Sequence, residues 1–102
     1  MIGAVVEVFL CNGRSFLGLT VEKDLSGITV RGADTRYIEE QVVFARGRGL
    51  SVRETLMLQT AFFPYARIDY VNVHTPLTSL EEAYGQWFAP DGVVGFFADG
   101  EL

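Results

Sequence analysis

The sequence predicts a small, strongly bent all-β barrel of five short strands. Three observations carry that reading. Asn12-Gly13 stands between two apolar, β-branched runs, and Asn-Gly is the dipeptide that tolerates positive φ in a tight hairpin turn of type I′. Further strand-like runs follow at short spacing as far as Val73, separated by turn-forming residues, the pattern of small barrels. The chain has 102 residues, 49% hydrophobic and 21% charged, which suits one core rather than two and excludes a disordered chain.

Val5–Leu10 is the first strand and Arg14–Glu22 the second. Gly18, in the middle of the second, permits a bend or a close backbone approach. Asp24-Leu25-Ser26-Gly27 reads as a turn, and Ile28 and Val30 alternate with Thr29 and Arg31 in a half-buried third strand. Gly32-Ala33-Asp34 ends or bends it. Gln41–Ala45 reads as a strand, or as the far part of a bent third strand, and Arg46-Gly47-Arg48-Gly49 as a loop. Thr55–Phe63 is apolar on both faces, so it is either central or paired across a subunit boundary. Pro64–Arg67 is a turn and Ile68–Val73 the last strand.

Residues 1–75 therefore form the barrel domain, and residues 76–102 a C-terminal helix and acidic tail packed on the barrel or on a neighbouring subunit. Thr78 or Ser79 is placed to cap a helix over 79–89, with Glu81 or Glu82 completing a capping box and Leu80, Ala83, Tyr84, Trp87 and Phe88 at helical spacing. Pro90-Asp91-Gly92 ends it. Val93–Phe97 is an extra strand or a docked segment.

One Cys and one His exclude a disulfide framework and the usual zinc sites. No metal or cofactor is expected. Thr55–Ala66 is too short and too broken by Gln59 and Pro64 to span a bilayer. The N-terminus lacks a basic segment and meets Glu7 early. A cytoplasmic setting without membrane contact is expected.

The net charge is −5, which taken whole argues against a nucleic-acid binder. Its distribution is uneven. Residues 1–74 hold all 8 basic and 8 of the acidic residues, whereas residues 75–102 hold 5 acidic residues and no basic one. The tail is either a solvated surface or a screen for an anionic partner of the body. Seven of the basic residues are Arg, which suits planar contacts to phosphate or carboxylate.

Val6, Val8, Leu10, Gly13, Arg14, Phe16, Gly18, Asp24, Ile28 and Val30 together resemble the first motif of the Sm/LSm family. Phe62-Phe63-Pro64-Tyr65-Ala66-Arg67-Ile68-Asp69-Tyr70-Val71 is similar to the family's junction between its last two strands. The likeness covers residues 5–32 and 55–73, and the G-x₄-G-x₅-D spacing at its centre is moderately specific. It resembles most the divergent members found in phages and environmental sequence. The resemblance implies an SH3-type barrel that assembles into a homo-oligomeric ring, the fourth strand of one subunit pairing with the fifth of the next. It also implies single-stranded RNA, often uridine-rich, at the central hole and its rim. Three positions depart from the family. Ser26 stands where the family has an aromatic residue or His, Ile28 where it has Asn, and Arg67-Ile68-Asp69 keeps the Arg and Asp without the Gly between them. No counterpart of the family's N-terminal helix is expected in the residues ahead of Val5.

The resemblance makes Asp24, Ser26, Arg67 and Asp69 candidate nucleic-acid contacts. Asp24 orients an RNA-contacting loop or caps its own turn. Arg67 reaches a phosphate or base, or pairs with Asp24 or Asp69 at a subunit boundary. Arg46, Arg48 and Arg53, with Arg31 and Arg36, form the one basic concentration. It is a phosphate-binding loop, where Gly47 and Gly49 would let backbone N–H groups approach, or an ordinary solvated loop. Leu56, Leu58, Phe62, Phe63, Ile68 and Tyr70 are candidates for the oligomer interface. Aromatic residues such as Phe62, Phe63, Tyr65 and Tyr70 suit base stacking, though core or subunit contact accounts for them as well.

Cys11 and His74 are the one conceivable catalytic pair, and no nucleophile elbow, phosphate loop or zinc-protease motif accompanies them. The expectation is a non-enzymatic ring that binds single-stranded RNA or DNA. The alternative is a ring that serves as a protein-interaction or assembly module.

Overall fold

The computed structural model describes residues 4–50 and 55–74. Five antiparallel strands form one sheet: β1 (Val5–Leu10), β2 (Ser15–Lys23), β3 (Gly27–Asp34), β4 (Gln59–Pro64) and β5 (Ile68–Val73). One helix, α1 (Thr35–Arg48), lies between β3 and β4. The strand order is β4-β3-β2-β1-β5, so the sheet is open and its edges are β4 and β5. The helix expected over 79–89, the rest of residues 76–102 and Arg53 lie outside the described residues.

The connection between the two edges dictates the shape. At about 4.8 Å per strand spacing, β4 and β5 would stand about 19 Å apart in a flat sheet. Pro64 and Ile68 are joined by a single 3₁₀ turn, Tyr65–Arg67, which advances only about 2 Å per residue. The sheet must therefore curl until the end of β4 and the start of β5 come together at that corner. All five strands contribute to the inner face. Val6, Val8, Phe16, Ile28 and Val30 are buried there, with Ala61, Phe63, Ile68 and Val71 packed against them, and the Phe16 and Phe63 rings lie 5.0 Å apart.

Gly18 faces Gly32 directly across β2 and β3. A Cβ on Gly18 would run into the Arg31 carbonyl, and one on Gly32 into the Leu17 carbonyl. The two backbones thus pass closer than side-chain-bearing strands allow, at the centre of the curled sheet. A register shift between Thr20 and Glu22 adds twist to β2.

The first hairpin differs from expectation in detail. Gly13 alone carries a positive φ, 85°. Its N–H donates to the Leu10 carbonyl (3.0 Å), and the Leu10 N–H donates to the Arg14 carbonyl (2.8 Å). The loop is therefore three residues, Cys11–Gly13, with the glycine as a bulge, rather than a two-residue type I′ turn. Asn12 Oδ1 accepts from the Arg14 N–H at 3.0 Å.

The larger correction is α1. Gln41–Ala45 is not a strand and Arg46–Gly49 is not a loop; both belong to this helix and its cap. Asp34 is the N-cap, its Oδ1 accepting from the N–H groups of Arg36 (2.9 Å) and Tyr37 (3.4 Å). Gly49 ends the helix in the left-handed region, φ 67°. Arg46 and Arg48 fall in the last turn, where cations favour the negative end of the helix dipole. Ile38 and Val42 pack on the outer face of the sheet against Val5, Leu17 and Ala33, joined by Leu56, and Ala45 of the same helix is buried as well. Each large aliphatic side chain buried there contributes roughly 1.5–3 kcal/mol. The expected strand from Thr55 begins only at Gln59, because the outer face draws Leu56 under α1.

Two glycines should respond to alanine in opposite directions. Gly32→Ala forces the β2–β3 backbones apart and should cost about 3 kcal/mol or more. Gly47, helical and with open space around its Cβ position, should gain up to about 1 kcal/mol as alanine. Urea unfolding of the two variants checks both signs.

Candidate nucleic-acid interface

Three turns converge around Tyr65–Arg67. The β2–β3 turn is organised by Asp24, whose Oδ1 accepts from the Ser26 N–H (2.7 Å), the Ser26 hydroxyl (2.7 Å) and the Gly27 N–H (3.1 Å). Those donors, the Ser26 hydroxyl foremost, hold the Asp24 carboxyl below its ordinary range. Asp24 therefore caps its own turn. Tyr65 then docks on that turn twice: its N–H donates to the Ser26 carbonyl (3.1 Å) and its hydroxyl to the Asp24 carbonyl (2.9 Å). On the other side the Cys11 N–H donates to the Arg67 carbonyl at 2.9 Å. The first hairpin, the second hairpin and the edge-to-edge turn are thus locked together.

This brings Asp24, Ser26 and Arg67 to adjoining turns. The Arg67 side chain is exposed and, among the described residues, makes no ion pair with Asp24 or Asp69. Asp69 is exposed near the start of β5. Tyr65, which joins the two turns, reads from sequence only as a stacking or contact residue. The Pro64-Tyr65 pair between two strand-like runs is the sequence signal for its clamping role.

The remaining described arginines do not form one patch. Arg36 lies in the first turn of α1 and Arg46 in its last, about 15 Å apart at 1.5 Å per residue. Arg48 lies over the Phe44 ring, 4.1 Å from its centroid. Arg31 reaches from β3 to the Thr60 hydroxyl at 3.3 Å. Arg14 pairs with the N-cap carboxylate of Asp34 at 3.0 Å.

The interface candidates divide. Leu56 is buried in the core beneath α1 and Leu58 packs against it. Phe63 and Ile68 pack on the inner core. Phe62 on β4 and Tyr70 on β5 stay half-exposed, at 49% and 51%. Their strand partners, Thr29 and Phe9, place both on the face that carries α1. Tyr70 stacks on Phe9, ring centroids 4.4 Å apart.

Cys11 and His74 flank opposite ends of β1, which separates them by about 20 Å of strand. They form no dyad. His74 instead lies 3.6 Å from the buried Glu7 carboxylate. That carboxylate also accepts from the Ser15 hydroxyl (3.1 Å), which is 2.6 Å from the Thr35 hydroxyl. This polar seam ties β1, β2, the start of α1 and the end of β5. Among the described residues no group of three or more His, Cys, Asp or Glu could hold a metal, and no helix is long and apolar enough to cross a membrane.

No protein-family model, no curated protein and no solved structure matches this chain.

Because the folded state holds Asp24 below its ordinary range, the turn contributes stability above that range. The contribution is lost as pH falls through the folded-state value. In Asp24→Ala this part of the acid sensitivity should vanish, so the melting temperatures of wild type and variant should converge on acidification. Thermal melts from neutral pH downward read the difference.

Proposed function

We propose that this chain is the subunit of a homo-oligomeric, Sm-like ring that binds single-stranded RNA or DNA and carries out no chemistry. The observation that supports this most directly is the strand order. Among the described residues β4 and β5 are the open edges of the sheet, and each offers a row of backbone N–H and C=O groups that no described strand pairs. Pairing β4 of one copy with β5 of the next is a head-to-tail contact, which closes into a ring when its rotation closes. Phe62 and Tyr70, half-exposed on the same face, would meet across that contact. Each copy would add one Arg67 beside the converged turns, so phosphate neutralisation multiplies with subunit number.

A ring acting as a protein-assembly module, without nucleic acid, is the second reading. The five uncompensated carboxylates of residues 75–102 favour it.

Native mass spectrometry of the full chain, alone and with oligo-uridine or a mixed single strand, separates these readings. A closed multimer that takes up the strand, with affinity falling steeply as salt rises, is the expected result. A multimer that takes up neither strand at low salt would leave the assembly reading, and a monomer at working concentration would sink both.

The edge contact has its own test. The His74 N–H donates inward to the Val5 carbonyl at 2.9 Å, so by alternation the Val73 N–H faces the open edge. Val73→Pro removes that outward donor and leaves the inward bonds intact. The variant should keep its circular-dichroism spectrum and fall to monomers. An unchanged multimer mass would exclude the β5 edge as the contact.

A further inference from the structure

The curled sheet is not filled at its first-hairpin end. A cavity of about 490 Å³ lies between the end of β1 and the end of β4, a volume in the range of small-molecule sites. Leu10, Phe62, Phe63 and Pro64 supply its apolar lining, and the exposed residues Cys11, Asn12 and Arg67 supply its polar one. A second hollow of about 320 Å³ shares Leu10, Asn12 and Phe63, so the cleft continues along the inner side of β4.

The polar groups are suited to an anion. Among the described residues, no carboxylate lines the larger cavity. Asn12 Oδ1 is taken by the Arg14 N–H, which leaves the amide nitrogen to donate. The Arg67 guanidinium makes no hydrogen bond or ion pair among the described residues and presents a planar fork of donors. An apolar wall with an aromatic ring, lined also by two side-chain donors, fits a flat ring that carries one negative group.

We infer that this cavity binds a small planar aromatic anion, its ring against Phe63 and Pro64 and its carboxylate or phosphate on Arg67 and Asn12. The site is complete in a single copy and does not depend on ring assembly. An aromatic carboxylate and a nucleoside monophosphate share this chemistry.

Cys11 is the sole cysteine of the chain and stands in the cavity lining, so it reports occupancy. The rate of its alkylation by N-ethylmaleimide is followed in the full chain against increasing 2-naphthoate, adenosine 5′-monophosphate or the neutral 2-naphthamide. Saturable protection by naphthoate or the nucleotide is expected, and the more effective of the two names the source. Naphthamide should need about tenfold more for the same protection, since it lacks the charge-assisted bonds. Arg67→Gln, a change at an exposed side chain, should weaken the anions about tenfold and leave naphthamide unchanged. An alkylation rate indifferent to all three compounds would overturn the site. So would equal protection by naphthoate and naphthamide, or an Arg67→Gln variant that affects both alike. The subunit count of the same sample is read separately: a protected monomer keeps the cavity site and loses the ring, and an unprotected ring does the reverse.

Discussion

A single 3₁₀ turn holds together strands that belong to opposite edges of a five-stranded sheet, and the rest of the molecule accommodates it. Tyr65–Arg67 is too short to cross a flat sheet, so the sheet curls, and the curl creates the inner core shared by all five strands. The same turn is clamped by Tyr65 onto the Asp24–Ser26 turn and by the Cys11 N–H onto the Arg67 carbonyl. The contacts that hold the curl are therefore those that assemble the candidate interface. The close pass of Gly18 and Gly32 is what lets the central strands comply.

Curling satisfies only one face of the sheet. Val5, Leu17 and Ala33 point outward and are apolar, and leaving them in water would forgo a large part of the hydrophobic stabilisation. Helix α1 covers them with Ile38 and Val42. Its placement has an electrostatic consequence: the arginines of residues 31–48, close in sequence, are distributed along a helix and over a strand. What remains at the corner of the sheet is Arg67, beside the open cleft.

Much of the strand framework was legible because its signals are local. Asn12-Gly13 announces a hairpin, and Asp24 caps a turn with donors two and three residues ahead. The period-two pattern of β3 survives in its burial. Helix α1 was obscured by competing local signals. Val42, Val43 and Phe44 favour strands, and Gly47 and Gly49 suggest a loop. The spacing of Ile38, Val42 and Ala45, between an Asp cap and a Gly cap, was the evidence on the other side. At the candidate interface, Asp24 and Arg67 could be named from a family likeness, but Tyr65 as the residue that joins their turns could not. That junction spans 41 residues of chain, and no local pattern encodes it.

The amino-acid sequence by itself determined where most of the turns between strands fall and the alternation of most strands, since each depends on the conformational preference of a few adjacent residues. The tertiary structure decided which strands became the edges, that residues 35–48 became a helix, and which arginine stayed at the corner. Those outcomes follow from burying two apolar faces while pairing the backbone groups within the sheet, a balance summed over the whole molecule that no short segment carries alone.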